Sequence, residues 1–255
     1  MDTNTNDKEP ATGLFSDNRD VLTALEEGKI AFRGQFNWSS NYTFLVDIEH
    51  PTGKLQAVYK PTRGERPLWD FPPRSLAKRE VAAYVLSEAL GWHLVPPTVY
   101  RRHRTPLGVG SMQLYIPNDP DCHYFTFTPE DKQALRPVVL FDLFANNADR
   151  KGSHIIKDAA GKLWAIDHGI CFHQDFKLRT VIWDFAGQVI PQEMVDDMRR
   201  VLAGLGNNGI ITLQLMPWLK QGEIEALQHR MQALVDKPFF PLPDQHQRYY
   251  PYPLI

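Results

Sequence analysis

The sequence predicts an α+β protein in two lobes, an antiparallel sheet carrying one main helix followed by a small, mainly helical half. Three observations carry this. Apolar residues alternate with period two in residues 30–36, 42–48 and 55–59, and again in 98–102 and 110–116. One helical pattern, 74–90, falls between those runs, with Ala77, Val81, Val85 and Ala89 on one stripe and Gly91 as its stop. Finally, Pro117-Asn118-Asp119-Pro120 ends the strand pattern, because proline neither donates to a ladder nor sits inside a long helix, and helical patterns dominate beyond it.

Composition sets the bounds. At 255 residues and 43% hydrophobic, the chain suits one compact two-lobed unit. It divides into a disordered start (1–17), a first lobe (18–116), a second lobe (117–236) and a tail rich in Pro, Phe and Tyr (237–255), which is expected to dock on its own lobe. With 28 Lys+Arg against 30 Asp+Glu, no molecule-wide field recruits nucleic acid or an anionic membrane; a local basic cluster would have to do so. Cys122 and Cys171 stand in unlike contexts without metal spacing, which points to a reducing compartment. With no membrane-length apolar run and a polar rather than signal-like start, the expectation is a soluble cytoplasmic protein.

In chain order, Asp17 or Asn18 caps a short helix carrying Val21, Leu22 and Leu25 that ends near Gly28. The next strands are joined by the small polar stretch 37–41 and by the turn His50-Pro51-Thr52-Gly53. The third strand ends at Lys60, and a proline-rich loop leads to the main helix. On that helix Glu80 lies between Leu76 and Tyr84 along the i, i+4 row, bordering the buried face, where an unpaired carboxylate is costly. Lys60, twenty positions earlier, is the cation available to it. From Pro129 a helix bearing Leu135, Val138, Val139, Phe141, Asp142, Leu143 and Phe144 runs into a polar loop holding Asp149. A hairpin turning at 158–161 follows, then Asp167-His168-Gly169, so that two carboxylates eighteen positions apart fold toward each other. Residues 171–190 form a loop with basic His173, Lys177 and Arg179; helices follow from Pro191 to about 205 and over 223–235, with a break at Gly204 to Gly209.

The block Leu140 to Phe172 resembles the catalytic and metal loops of the phosphatidylinositol 3/4-kinase-like and HipA-like branch of the protein-kinase superfamily, in which an Asp-Arg pair opens the first loop and Ile-Asp-x-Gly forms the second. The likeness covers about residues 28–185 and is nearest to a bacterial group of phosphatidylinositol 3/4-kinase-like proteins. It implies a two-lobed protein-kinase-like fold and transfer of the γ-phosphoryl of ATP to a hydroxyl acceptor. By the same resemblance, Lys60 braced by Glu80 holds the nucleotide phosphates, Asp149 orients the acceptor proton, Lys151 neutralises the moving charge, and Asp167 carries Mg²⁺ or Mn²⁺. Ser39, Ser40 and Asn41 stand where such folds cradle phosphates, although a plain hairpin turn reads the same. Gln113, Leu114, Tyr115 and Ile116 stand at the adenine-facing connection.

Two departures keep other readings open. His154 replaces the Asn that the superfamily offers to a second metal and would serve Mn²⁺ better than Mg²⁺. The phosphate loop lacks glycines. A nucleotide-binding pseudokinase acting as an interaction module, and an AMP transferase, are therefore the alternatives. Arg150 is expected to pair with a carboxylate beneath the loop, and His168 to pack. Lipid, protein hydroxyl and small alcohol all suit Asp149 as acceptor, and no amphipathic membrane helix favours the lipid.

Overall fold

Alternation in the first half becomes a five-stranded, wholly antiparallel sheet in the computed structural model, which describes residues 18–36, 42–206, 208–243 and 248–255. The start 1–17 and the phosphate-loop candidates Ser39, Ser40 and Asn41 lie outside the described residues. After helix α1 (Asn18–Glu27), strands β1 (Lys29–Gln35), β2 (Phe44–His50) and β3 (Gly53–Pro61) run as a meander. Helix α2 (Leu76–Leu90) then leads to β4 (Thr98–Arg101) and β5 (Gly110–Leu114), and β5 inserts beside β3 to give the order β1-β2-β3-β5-β4.

Period two decides what each β3 residue faces. Leu55, Ala57 and Tyr59 are buried with Ala24 and Leu25 of α1, which sends Lys60 to the opposite face, toward α2. Helix α2 stops at Gly91, in the left-handed conformation (φ 73°) that glycine adopts without a Cβ clash. The expected single stripe on α2 is not what forms: the helix is buried nearly all round, including Arg79 and Glu80, because it sits between the sheet and the second lobe. Its Ala82, Ala83, Leu86 and Leu90 belong to the same apolar core as Phe141, Phe144, Phe172 and Phe185.

The single helix expected from Pro129 is two, α3 (Pro129–Gln133) and α4 (Arg136–Ala145). Pro137 has no N–H to continue the ladder, so the chain restarts there, with proline in the first turn of α4 where it is tolerated. Strands β6 (Ile155–Lys157) and β7 (Leu163–Ala165) make the expected hairpin, with Gly161 at φ 85° in its turn. Helices α5 (Gln192–Gly204), α6 (Ile210–Leu215) and α7 (Gln221–Asp236) complete the second lobe; α6 was not foreseen, six residues being too short to show a period. The tail packs on this lobe through buried Phe240 against Phe185 and through backbone bonds from Thr180 N–H to Tyr249 and from Gly152 N–H to Leu254. Among the described residues no helix is long and apolar enough to cross a membrane.

Candidate functional site

Four elements bring their ends together between the lobes: the end of β3, the middle of α2, the loop after α4 and the turn after β7. Lys60 Nζ lies 2.5 Å from Glu80 Oε1 and 3.0 Å from Asp167 Oδ1. The other Glu80 oxygen accepts the His168 backbone N–H at 3.0 Å, so one buried carboxylate fixes both the lysine and the turn carrying Asp167. Gly169 passes so close to α2 that an added Cβ would lie 3.4 Å from Leu76 Cβ. Asp167 itself has φ 61°, a left-handed conformation that Asp tolerates better than most residues.

Asp149 stands on the other side of the hairpin. Its backbone N–H bonds Asn147 Oδ1 at 2.9 Å, and its carboxylate lies 3.5 Å from Lys151 Nζ. His154 joins the two loops: Nε2 is 3.2 Å from Asp167 Oδ2, and Nδ1 is 3.4 Å from the Lys151 N–H. That pair of contacts selects the neutral tautomer with its proton on Nε2, donated to Asp167.

The charges agree with this layout. Burial works against the Lys60 ammonium, but the carboxylates of Asp167 and Glu80 outweigh it and raise its pKa. Burial pushes the Asp149 carboxyl up to about 6, Lys151 pulling it down and Asp167 adding to the rise. Loss of water also opposes the charge on Asp167, yet Lys60 overrides this and holds it well below the usual carboxylate range. Burial takes His154 down to about 4, against the pull of Asp167, which keeps the ring neutral at pH 7.

Beneath the loops lies Arg150, fully buried. It makes a two-pronged pair with Asp142 (2.8 and 3.0 Å) and donates to the carbonyls of His154 (3.1 Å) and Ile166 (2.8 Å) and to His168 Nε2 (2.7 Å). The expected carboxylate partner is thus Asp142, which also accepts from Asn147 Nδ2 at 2.9 Å. His168 is buried with its ring edge-on to Phe141, and its Nδ1 has no partner among the described residues. A second buried anchor escaped sequence reasoning. Arg79, next to Glu80, donates to the Cys171 carbonyl at 2.5 Å and pairs with Glu223 on α7. The two are 144 residues apart, so no local pattern could announce the pair.

The remaining candidates are placed as follows. Gln113 turns its amide onto Thr98 (2.9 Å), away from the cluster. The N–H groups of Leu114 and Tyr115 go to Pro97 and Gln56, whereas Ile116 N–H has no partner among the described residues. Lys177 pairs with Asp70 at 3.0 Å, and the His173 ring meets the Asp70 carbonyl at 2.9 Å, so these two hold the proline-rich loop instead of standing free.

Solved structures share this fold. A crystal structure of the Golgi casein kinase with Mn/ADP bound superposes with TM-score 0.59 at 16% identity, covering 87% of this chain and 76% of that one. The fold is kinase-like. No family model matches the chain. Phosphatidylinositol 4-kinase gamma 2 of Arabidopsis thaliana is 28% identical over 172 residues, which span 56% of this chain and 31% of that protein. Together these show a kinase-like fold and a partial likeness to a phosphatidylinositol 4-kinase, and neither singles out the HipA-related branch. Protein Rv2133c of Mycobacterium tuberculosis (strain ATCC 25618 / H37Rv) is 35% identical over 263 residues, covering 89% of this chain and 93% of that protein. At that identity and coverage, the chain belongs to the family of the mycobacterial protein.

Proposed function

We propose that the chain is an ATP-dependent phosphotransferase on the phosphatidylinositol 3/4-kinase-like side of the superfamily. The observation that carries it is Lys60 Nζ held between buried Glu80 and half-exposed Asp167. A lysine fixed at one point by a buried carboxylate is an anchor for phosphate oxygens, and the second carboxylate beside it suits a hard cation. The donor set fits Mg²⁺ or Mn²⁺ shared with a nucleotide: Asp167 offers a carboxylate that is 50% exposed, and no cluster of three or more His, Cys, Asp or Glu among the described residues would enclose the ion alone. Such an ion, when bound, supplies positive charge against the phosphates. With a nucleotide bound, Lys60 would meet the α/β-phosphates while Glu80 keeps it in place.

Asp149 is the proposed base. Its carboxyl, pushed up to about 6, is mostly ionised at pH 7 yet basic enough to take a proton from an acceptor hydroxyl. Lys151, at 3.5 Å, offsets charge on the moving phosphoryl. His154 aims Asp167 through its Nε2–H; ligation by that same nitrogen would require the other tautomer. Ser39, Ser40 and Asn41 as phosphate cradle, and Ile116, whose N–H has no partner among the described residues, as the adenine contact, complete the proposal. The acceptor is a hydroxyl on lipid, protein or small molecule.

The test is incubation of purified protein with ATP and Mg²⁺, then Mn²⁺, followed by mass analysis of nucleotide products, of the protein and of added lipid. ADP formation or a phosphate adduct supports the kinase. Pyrophosphate release with an AMP adduct would replace it with an AMP transferase, and ATP binding without turnover under either metal would replace it with a pseudokinase.

A further inference from the structure

A cavity of about 260 Å³ opens between the 3₁₀ turn Thr62–Gly64 and the start of α2, beside the cluster described above but outside it. Arg63, Arg66 and Arg74 line it together with Glu65, whose carboxylate accepts the Ala77 N–H at 3.0 Å, and Leu68, Phe71 and Leu76 are among its apolar walls. Arg63 and Arg74 are exposed and form no ion pair with a described residue. Next to the cavity, Trp69 is 92% exposed. Leu68 and Phe176 are exposed as well, and Lys177 Nζ, 5.0 Å from the Trp69 ring centroid, brings the Phe176 segment alongside.

The loop displays Trp69 from a fixed base. Asp70 is clasped by Lys177 and His173, and the buried Phe71 lies under Arg79 (4.8 Å) and against His173 (5.2 Å). An indole held in water on an anchored loop is the informative kind of exposed apolar group, since tryptophan is favoured at the boundary between headgroups and acyl chains. Guanidinium forks match phosphate oxygens in shape as well as charge.

We infer that this face docks on an anionic phospholipid bilayer, with a headgroup phosphate in the arginine-lined cavity and Trp69, Leu68 and Phe176 at interfacial depth. A phosphopeptide would fill the cavity but leave the three apolar side chains in water; a bilayer satisfies both halves of the face. The attraction is local, because the chain as a whole carries −2. It is therefore sensitive to salt. Docking does not depend on the phosphotransferase reading and is measured without nucleotide.

The experiment is co-sedimentation of the full chain with phosphatidylcholine vesicles and with vesicles in which part of that lipid is replaced by phosphatidylinositol phosphate. Binding is expected to the anionic vesicles alone, to weaken as salt rises, and to fall about fivefold for each of Arg63→Ala and Arg74→Ala. Addition of anionic vesicles should shift tryptophan emission to the blue, and Trp69→Phe should remove most of that shift while the protein stays folded. Equal binding to neutral vesicles, absence of binding to either kind, or binding indifferent to these substitutions would overturn the proposal. So would failure on vesicles together with Arg-dependent capture of a phosphopeptide. ATP turnover in the same samples separates a failure of docking from a failure of the proposed chemistry.

Discussion

Arg150 and Lys60 are the centres of two charged clusters that share neighbours but follow opposite rules. Arg150 is closed off: it is fully buried and its donors go to Asp142, two carbonyls and His168. Lys60 is open: its side chain is 22% exposed, that of its partner Asp167 50% and that of Asp149 26%. A buried network whose arginine donates to a carboxylate, two carbonyls and a ring holds two loops in register. A half-open one keeps its charges within reach of something that arrives from outside. The difference separates scaffold from chemistry more sharply than residue type does, since both clusters join a cation to aspartate and histidine.

The largest expected effect tests the closed cluster. Arg150→Ala leaves Asp142 buried without its cation and removes the link between the two loops, and should cost about 3–5 kcal/mol in denaturant unfolding. A loss below about 1 kcal/mol would mean that the network is not the scaffold described here. Glu223→Ala strands Arg79 in the same way, although the Cys171 carbonyl still accepts from it; a loss of about 3 kcal/mol is expected, with α2 less firmly tied to the second lobe. Glu80→Gln moves the test to the open cluster. It keeps the shape and the acceptor for His168 N–H but weakens the hold on Lys60, so turnover should fall about 100-fold while the unfolding midpoint changes little.

The smallest effect comes from the sign of one pKa. Burial raises the Asp149 carboxyl to about 6, so between about pH 4 and pH 6 the folded chain binds more protons there than the unfolded chain, and stability falls as pH rises through that window. Asp149→Asn abolishes this fall. Relative to wild type, its stability at pH 7 should exceed that at pH 4 by about 2 kcal/mol, after discounting for partial exposure. A difference of opposite sign in paired urea titrations would show that Asp149 is not held above its ordinary value.

Much of the first lobe was legible because strand period and helix period speak locally: β3 carries Lys60 one residue before its end, Gly91 stops α2, and Glu80 in its i, i+4 row needed a cation. The break between α3 and α4 hinged on Pro137, which a run of apolar residues had masked. Asp142 looked like one polar residue on an apolar helix until Arg150 reached it, and Arg79 met Glu223 through tertiary packing alone. The burial of α2 on nearly all sides depended on the second lobe closing over it. No amphipathic helix marks a membrane face in the sequence, because the face built by Arg63, Trp69 and Arg74 lies on a loop, where no periodicity reports it.

The central claim is that the open cluster performs phosphoryl transfer with Asp149 as its base. Parallel measurement of ATP turnover and ATP binding in wild type and Asp149→Ala tests it most directly. Turnover at least about 100-fold lower with binding within about twofold of wild type is the predicted result. Undiminished turnover, or loss of both together, would contradict it.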